Sequence, residues 1–230
     1  MYCDETGGDY YDFLVPAEGS GYRLGVAVGD VAGHGVSSAL LMATARAFLR
    51  QRASLAGSSG AIITDVNGQL CRDVAASGQF MTLFMLLIDP DRGRIEWVRA
   101  GHDPAIFYDP VTDRFDVLMG SGLPLGVDAA GTYSVERRDG LADGAIILLG
   151  TDGIWETFNA RGEMFGKERL FTLIQVNASA AAGDIRDRIL AALQDFRGTA
   201  ALEDDVTLVI AKLDRDRPGP EKPPTPECRI

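Results

Sequence analysis

The chain has 230 residues, enough for one large domain with a substantial core, and its 46% hydrophobic and 24% charged content is that of an ordinary globular protein. A net charge of −11, from 22 basic against 33 acidic residues, argues against a broad nucleic-acid footprint. No apolar run approaches the roughly 18 residues that span a bilayer, and residues 1–12 are acidic rather than signal-like, so a cytoplasmic protein without membrane contact is expected.

In chain order, residues 10–15 read as a first strand and 22–30 as a second, with Leu24, Val26 and Val28 alternating with small residues. Gly33-His34-Gly35 breaks the chain before a helix over 36–52, whose apolar positions Leu40, Ala43, Ala47 and Phe48 recur at helical spacing. A second helix is predicted over 61–76, with Ile62, Val66, Leu70 and Val74 on one stripe. Strands over 81–88 and 94–99 flank Asp89-Pro90-Asp91-Arg92-Gly93, a hairpin turn. Another strand pair is predicted at 105–108 and 114–118, then a Gly/Pro-rich loop at 120–126. Further strands are expected at 133–138, 145–149 and 206–213, and helices at 154–159, 167–175 and 182–196.

This order lacks the β-α alternation of a doubly wound sheet and favours largely antiparallel sheets with helices packed outside them, an α+β fold. Residues 214–230 carry five of the ten prolines and almost no apolar side chains, so a catalytic domain over 1–213 and a Pro-rich disordered tail over 214–230 are expected. Cys3, Cys71 and Cys228 are far apart and form no C-x-x-C pair, the pattern of reduced thiols rather than of a zinc site or disulfide framework.

Acidity alone usually marks a solvated surface, and an Asp-Gly at a strand end is, taken singly, most often just a turn. Four such places are harder to read that way together: Gly7-Gly8-Asp9-Tyr10-Tyr11-Asp12, Gly29-Asp30-Val31-Ala32-Gly33-His34-Gly35, Gly150-Thr151-Asp152-Gly153 and Glu203-Asp204-Asp205-Val206-Thr207. Sheet ends can aim side chains into one cleft, hard divalent cations prefer carboxylate and carbonyl oxygens, and glycine lets the backbone come close. There is no P-loop, no G-x-S-x-G and no reactive-cysteine signature, and no Arg is evidently placed near Asp9 to grip a phosphate.

These motifs resemble, in order, the signatures of the SpoIIE/RsbU-type branch of the PPM (type 2C) metal-dependent protein serine/threonine phosphatases. Ala100-Gly101-His102-Asp103-Pro104-Ala105 and Gly122-Leu123-Pro124-Leu125-Gly126 add to the resemblance, which covers nearly all of residues 7–213. It implies a four-layer α-β-β-α sandwich of two packed, mainly antiparallel sheets flanked by helices. It also implies two Mn2+ or Mg2+ ions between the sheets, no other cofactor, and in-line hydrolysis of phosphoserine or phosphothreonine by a metal-activated water.

Residue by residue, the resemblance gives Asp30 as the carboxylate bridging both metals, the Val31 carbonyl and Asp9 as ligands of one, and Asp152 and Asp204 as ligands of the other. Asp30 and Asp152 are thus the catalytic carboxylates. Asp12, His34, Gly153 and Asp205 are placed next to the ligands without touching a metal, and His102 is structural. Asp103 and Ala105 stand where the family often has Asn and Pro.

The expected substrate is a phosphorylated STAS-domain anti-sigma-factor antagonist in bacterial stress or developmental signalling. An upstream sensor module absent from this chain is expected, since relatives usually sit behind a PAS, GAF or response-regulator module. The family also places a strand and linker ahead of Gly7, so a truncated domain is expected. The helices at 36–53 and 61–76 are where such a module would act, and a homodimer is compatible with this reading. The rival readings are a non-catalytic pseudophosphatase, which intact Asp30, Asp152 and Asp204 disfavour, and a hydrolase of small phosphoesters.

Overall fold

In the computed structural model, which describes residues 7–17, 20–22 and 24–214, the elements run β1 (Asp9–Leu14), β2 (Leu24–Val31), α1 (Val36–Ala53), α2 (Ser59–Val74), β3 (Met81–Asp89), β4 (Arg94–Ala100), β5 (Ala105–Asp109), β6 (Arg114–Leu118), β7 (Glu136–Arg138), β8 (Ile146–Gly150), α3 (Gly166–Val176), α4 (Ala182–Arg197) and β9 (Leu208–Lys212). Of the tail expected over 214–230, residues 215–230 lie outside the described residues. Two antiparallel sheets form, one ordered β1-β2-β3-β4-β7 and the other β6-β5-β8-β9.

The period-2 alternation of the strands builds three apolar layers. Val26, Val28, Phe84, Leu86 and Trp97 point inward and meet Phe107, Ile147, Leu149 and Val209 of the second sheet. The alternate residues Ala27, Val31, Leu83 and Met85 face α1 and α2. On the far side Ile106, Ile146 and Leu148 pack against Leu170, Ile174, Ile185 and Ile189 of α3 and α4. The result is the α-β-β-α stack that the motifs imply, and no helix among the described residues is long and apolar enough to cross a membrane.

Three expectations need correction. Residues 154–159 are not a helix: Ile154 N–H donates to Thr151 O (3.2 Å), Glu156 N–H to Asp152 O (2.8 Å), and Phe158 bridges Met164. The segment turns on itself because Ile154 and Trp155 must bury under the second sheet while the chain reverses at Gly162. Of residues 133–138 only β7 is a strand, while Tyr133 packs under the first helical layer. Helix α1 presents Leu41, Ala45 and Leu49 to the core, and Leu40, Ala43 and Ala47 are exposed. That helix is apolar on two sides, so periodicity could not choose the buried one.

Candidate metal centre

Strand register brings the first two acidic residues together. Asp9 of β1 lies directly opposite Asp30 of β2. Tyr10 and Leu14 face the helices, and Val26 and Val28 face the second sheet, so alternation turns both Asp9 and Asp30 toward the gap between sheets. The same parity sends Asp12 the other way. Its buried carboxylate receives Arg50 Nη2–H at 2.6 Å and the Tyr10 hydroxyl at 3.2 Å, with Arg46 3.3 Å away, which ties β1 to α1. Asp12 is a helix anchor on the far side of the strand, not a neighbour of Asp9.

From the second sheet, β8 ends at Gly150 and delivers Thr151, Asp152 and Gly153, and the segment before β9 delivers Asp204 and Asp205. Thr151 joins the sheets: its hydroxyl donates to Asp9 Oδ2 at 2.8 Å and accepts from Thr207 N–H at 3.0 Å. Its backbone N–H donates to Thr207 O at 3.1 Å. This link was not legible in the sequence, although Thr151 sits inside a quoted motif.

Close backbone approach explains the glycines. A Cβ on Gly8 would stand 2.6 Å from Val31 O and 3.0 Å from Asp30 Oδ1, so both oxygens border the space that glycine leaves open. A Cβ on Gly153 would fall 2.0 Å from Asp205 O, and one on Gly7 1.5 Å from Asp205 Oδ2. The Asp204 side chain accepts from Asp205 N–H at 2.7 Å, which orders that turn.

A second brace runs through His102, which is buried. Its Nε2 lies 3.2 Å from Gly150 O and its Nδ1 2.9 Å from the Thr82 hydroxyl. A carbonyl can only accept, so Nε2 carries the proton and Thr82 donates to Nδ1. Burial pushes the imidazole down to about 4, which keeps it neutral. Thr82 pairs with Asp30 in the β2–β3 register, so this chain of contacts links the Asp30 and Asp152 ends of the two sheets. His34 is exposed in the Gly33–Gly35 turn.

The electrostatics are those of crowded like charges. Burial, and then repulsion from Asp9, Asp204, Asp152 and Asp205, raises Asp30 to about 7. Burial raises Asp9 to about 6 against the hydrogen bonds from Thr207 and Thr151, with Asp205 and Asp204 adding repulsion. Asp152 is raised by burial and by Asp204. Among the described residues no three His, Cys, Asp or Glu side chains are gathered about one metal position. The carboxylates instead come from opposite sheets and destabilise one another. An all-oxygen donor set with this excess of negative charge suits a hard divalent cation, so the residues present fit such ions.

Beside Asp9 a cavity of about 700 Å³ opens between the outer strands β1 and β9, lined by Tyr11, Phe13, Met42, Leu208 and Ile210 among others. Asp9, Arg46, Arg186 and Thr207 line it as well, so its walls are part apolar and part polar.

Comparison with known proteins places this arrangement. A family model described as Stage II sporulation protein E (SpoIIE) matches residues 20–214. The phosphoserine phosphatase RsbU of Bacillus subtilis (strain 168) is 27% identical over 212 residues, covering 90% of this chain. The chain spans 60% of the length of that relative. Among solved structures, the SiaA-PP2C domain of Pseudomonas aeruginosa superposes with a TM-score of 0.79 at 24% identity, covering 93% of this chain and 83% of that one. RsbX, solved in complex with magnesium, gives a TM-score of 0.67 at 17% identity, covering 93% and 92%.

Proposed function

Because the chain belongs to the SpoIIE family of PP2C-type phosphatase domains, we propose that it is a Mn2+- or Mg2+-dependent protein serine/threonine phosphatase acting in the cytoplasm. Its proposed substrate is a phosphorylated STAS-domain anti-sigma-factor antagonist, a reading supported by the likeness to RsbU. The observation that carries the activity is the meeting of Asp9 and Asp30 from one sheet with Asp152, Asp204 and Asp205 from the other, where burial and then the other four charges raise the Asp30 carboxyl.

Asp9, Asp30, Asp152, Asp204 and the Val31 carbonyl would hold two divalent ions. When bound, such ions lower the pKa of water and neutralise phosphoryl oxygens. The chain's own residues do the rest by position. Thr151 fixes the rotamer of Asp9 and ties the two sheets at the site. Neutral His102 braces the strand end that presents Asp152 without adding a titrating charge.

The test is phosphate release with Mn2+ from a phosphoserine-bearing STAS protein beside small phosphoesters such as para-nitrophenyl phosphate. A kcat/KM at least about 100-fold higher for the protein is expected, because remote contacts strengthen binding at the reacting centre. Equal kcat/KM for both would favour a small-phosphoester hydrolase, and no release from either would favour a binding domain.

A further inference from the structure

A site built from carboxylates repels its own anionic substrate until metal is bound, and the arginines near it are already engaged. Arg99 donates to the carbonyls of His102 and Gly120, Arg50 and Arg46 are held by Asp12, and Arg186 is paired with Asp187. Lys167 differs. Its ammonium lies 3.2 Å from Asp103 Oδ2 and 4.2 Å from the centroid of the Trp155 ring, and both side chains of the ion pair are about two-fifths exposed.

Both anchors belong to the corner that carries Asp152. Trp155 follows Asp152 in the turn closed by Glu156 N–H on Asp152 O, and Gly166 N–H donates to Trp155 O at 2.9 Å, which seats the start of α3. Asp103 adjoins His102, whose ring is latched to Gly150 O, two residues before Asp152. Lys167 also stands in the first turn of α3, where the helix dipole disfavours a cation. Local helix energetics do not account for a lysine there.

We propose that Lys167 is a substrate-binding residue, which exchanges Asp103 for an anionic oxygen of the phosphoprotein at the Asp152 side of the site. Asp103 and Trp155 hold the ammonium at the rim, and Asp103 competes with the substrate for it. The ligand chemistry is an oxyanion, supplied either by the phosphoryl group or by carboxylates flanking the phosphoserine. This rests on the phosphatase reading given above.

The experiment measures KM and kcat with saturating Mn2+ for wild type, Lys167→Met, Lys167→Arg, Asp103→Asn and the double variant Asp103→Asn/Lys167→Met. Substrates are para-nitrophenyl phosphate and two phosphoserine peptides, one flanked by Glu and one by Ala. Thermal melts establish that each variant is folded. Lys167→Met should raise KM by about fivefold, with a smaller change in kcat, and Lys167→Arg should restore most of it. The increase should shrink at high salt.

An increase on all three substrates assigns the contact to the phosphoryl group, and an increase confined to the Glu-flanked peptide assigns it to flanking carboxylates. Asp103→Asn should lower KM by about twofold in wild type and have no effect once Lys167 is Met. Unchanged KM in Lys167→Met, or an Asp103→Asn effect that persists without the lysine, would overturn the proposal while leaving the phosphatase reading intact. Wild type without Mn2+-dependent release from any substrate would overturn both.

Discussion

Replacing Asp30 by Asn should stabilise the metal-free protein while removing its function. The Asp30 carboxyl is raised from 3.8 to about 7. At about 1.4 kcal/mol per pH unit, its ionisation costs the folded state on the order of 4 kcal/mol once the pH is well above 7. Asp9 and Asp152 share the same crowding, so removing one charge recovers part of this, about 2 kcal/mol, or ~4–8 °C in Tm for a domain of this size.

The sign follows from proton counts. Between pH 3.8 and about 7 the folded state retains a proton that the unfolded chain has lost, so folded-state stability falls as pH rises through that window. The Asp30→Asn advantage should therefore be absent near pH 4, grow through pH 5–6 and level off above about 7. Thermal unfolding followed by circular dichroism in a chelator, across pH 4–8, measures it. Adding Mn2+ should raise the Tm of wild type more than that of the variant, because the ion binds the folded state through the carboxylate the variant lacks. An Asp30→Asn protein that melts at or below wild type at pH 8 in chelator would refute the idea that unrelieved repulsion fills the gap between the sheets.

Other substitutions probe the supports of the site. Thr151→Val removes the hydroxyl between Asp9 and Thr207 and should cost about 1 kcal/mol in urea unfolding and weaken Mn2+ affinity about tenfold by calorimetry. Asp12→Ala leaves Arg50 and Tyr10 without their acceptor and should cost about 2 kcal/mol at pH 7. Because the Asp12 carboxyl is held below 3.8 in the folded state, that cost should shrink as unfolding is measured at lower pH and Asp12 protonates. Gly153→Ala forces a methyl to 2.0 Å from the Asp205 carbonyl and should lower Tm and abolish Mn2+ binding together, read by thermal melts with and without the ion.

The strand and helix framework was legible because alternation and helical spacing reflect burial directly, as at Val26 and Val28 or at Ile62, Val66, Leu70 and Val74. Where burial was ambiguous, the sequence misled. Helix α1 carries apolar residues on both sides, and the 154–159 segment buries Ile154 and Trp155 without being helical. The acidic motifs were visible as motifs, but that Asp9 belongs to β1, faces away from Asp12 and lies opposite Asp30 needed the strand's true start and its register against β2. The Thr151 link, the Thr82–His102 brace and the Lys167–Asp103 pair join residues 20 to 142 positions apart, a distance at which no local pattern exists to be read.

The most direct measurement is phosphate release from a phosphoserine substrate as Mn2+ is titrated into wild type, Asp30→Ala and Asp152→Ala. The account predicts saturable, Mn2+-dependent turnover in wild type and a loss of at least about 1,000-fold in each variant, since each removes a proposed ligand at the reacting centre. Activity without divalent metal, or turnover in both variants equal to wild type, would contradict it.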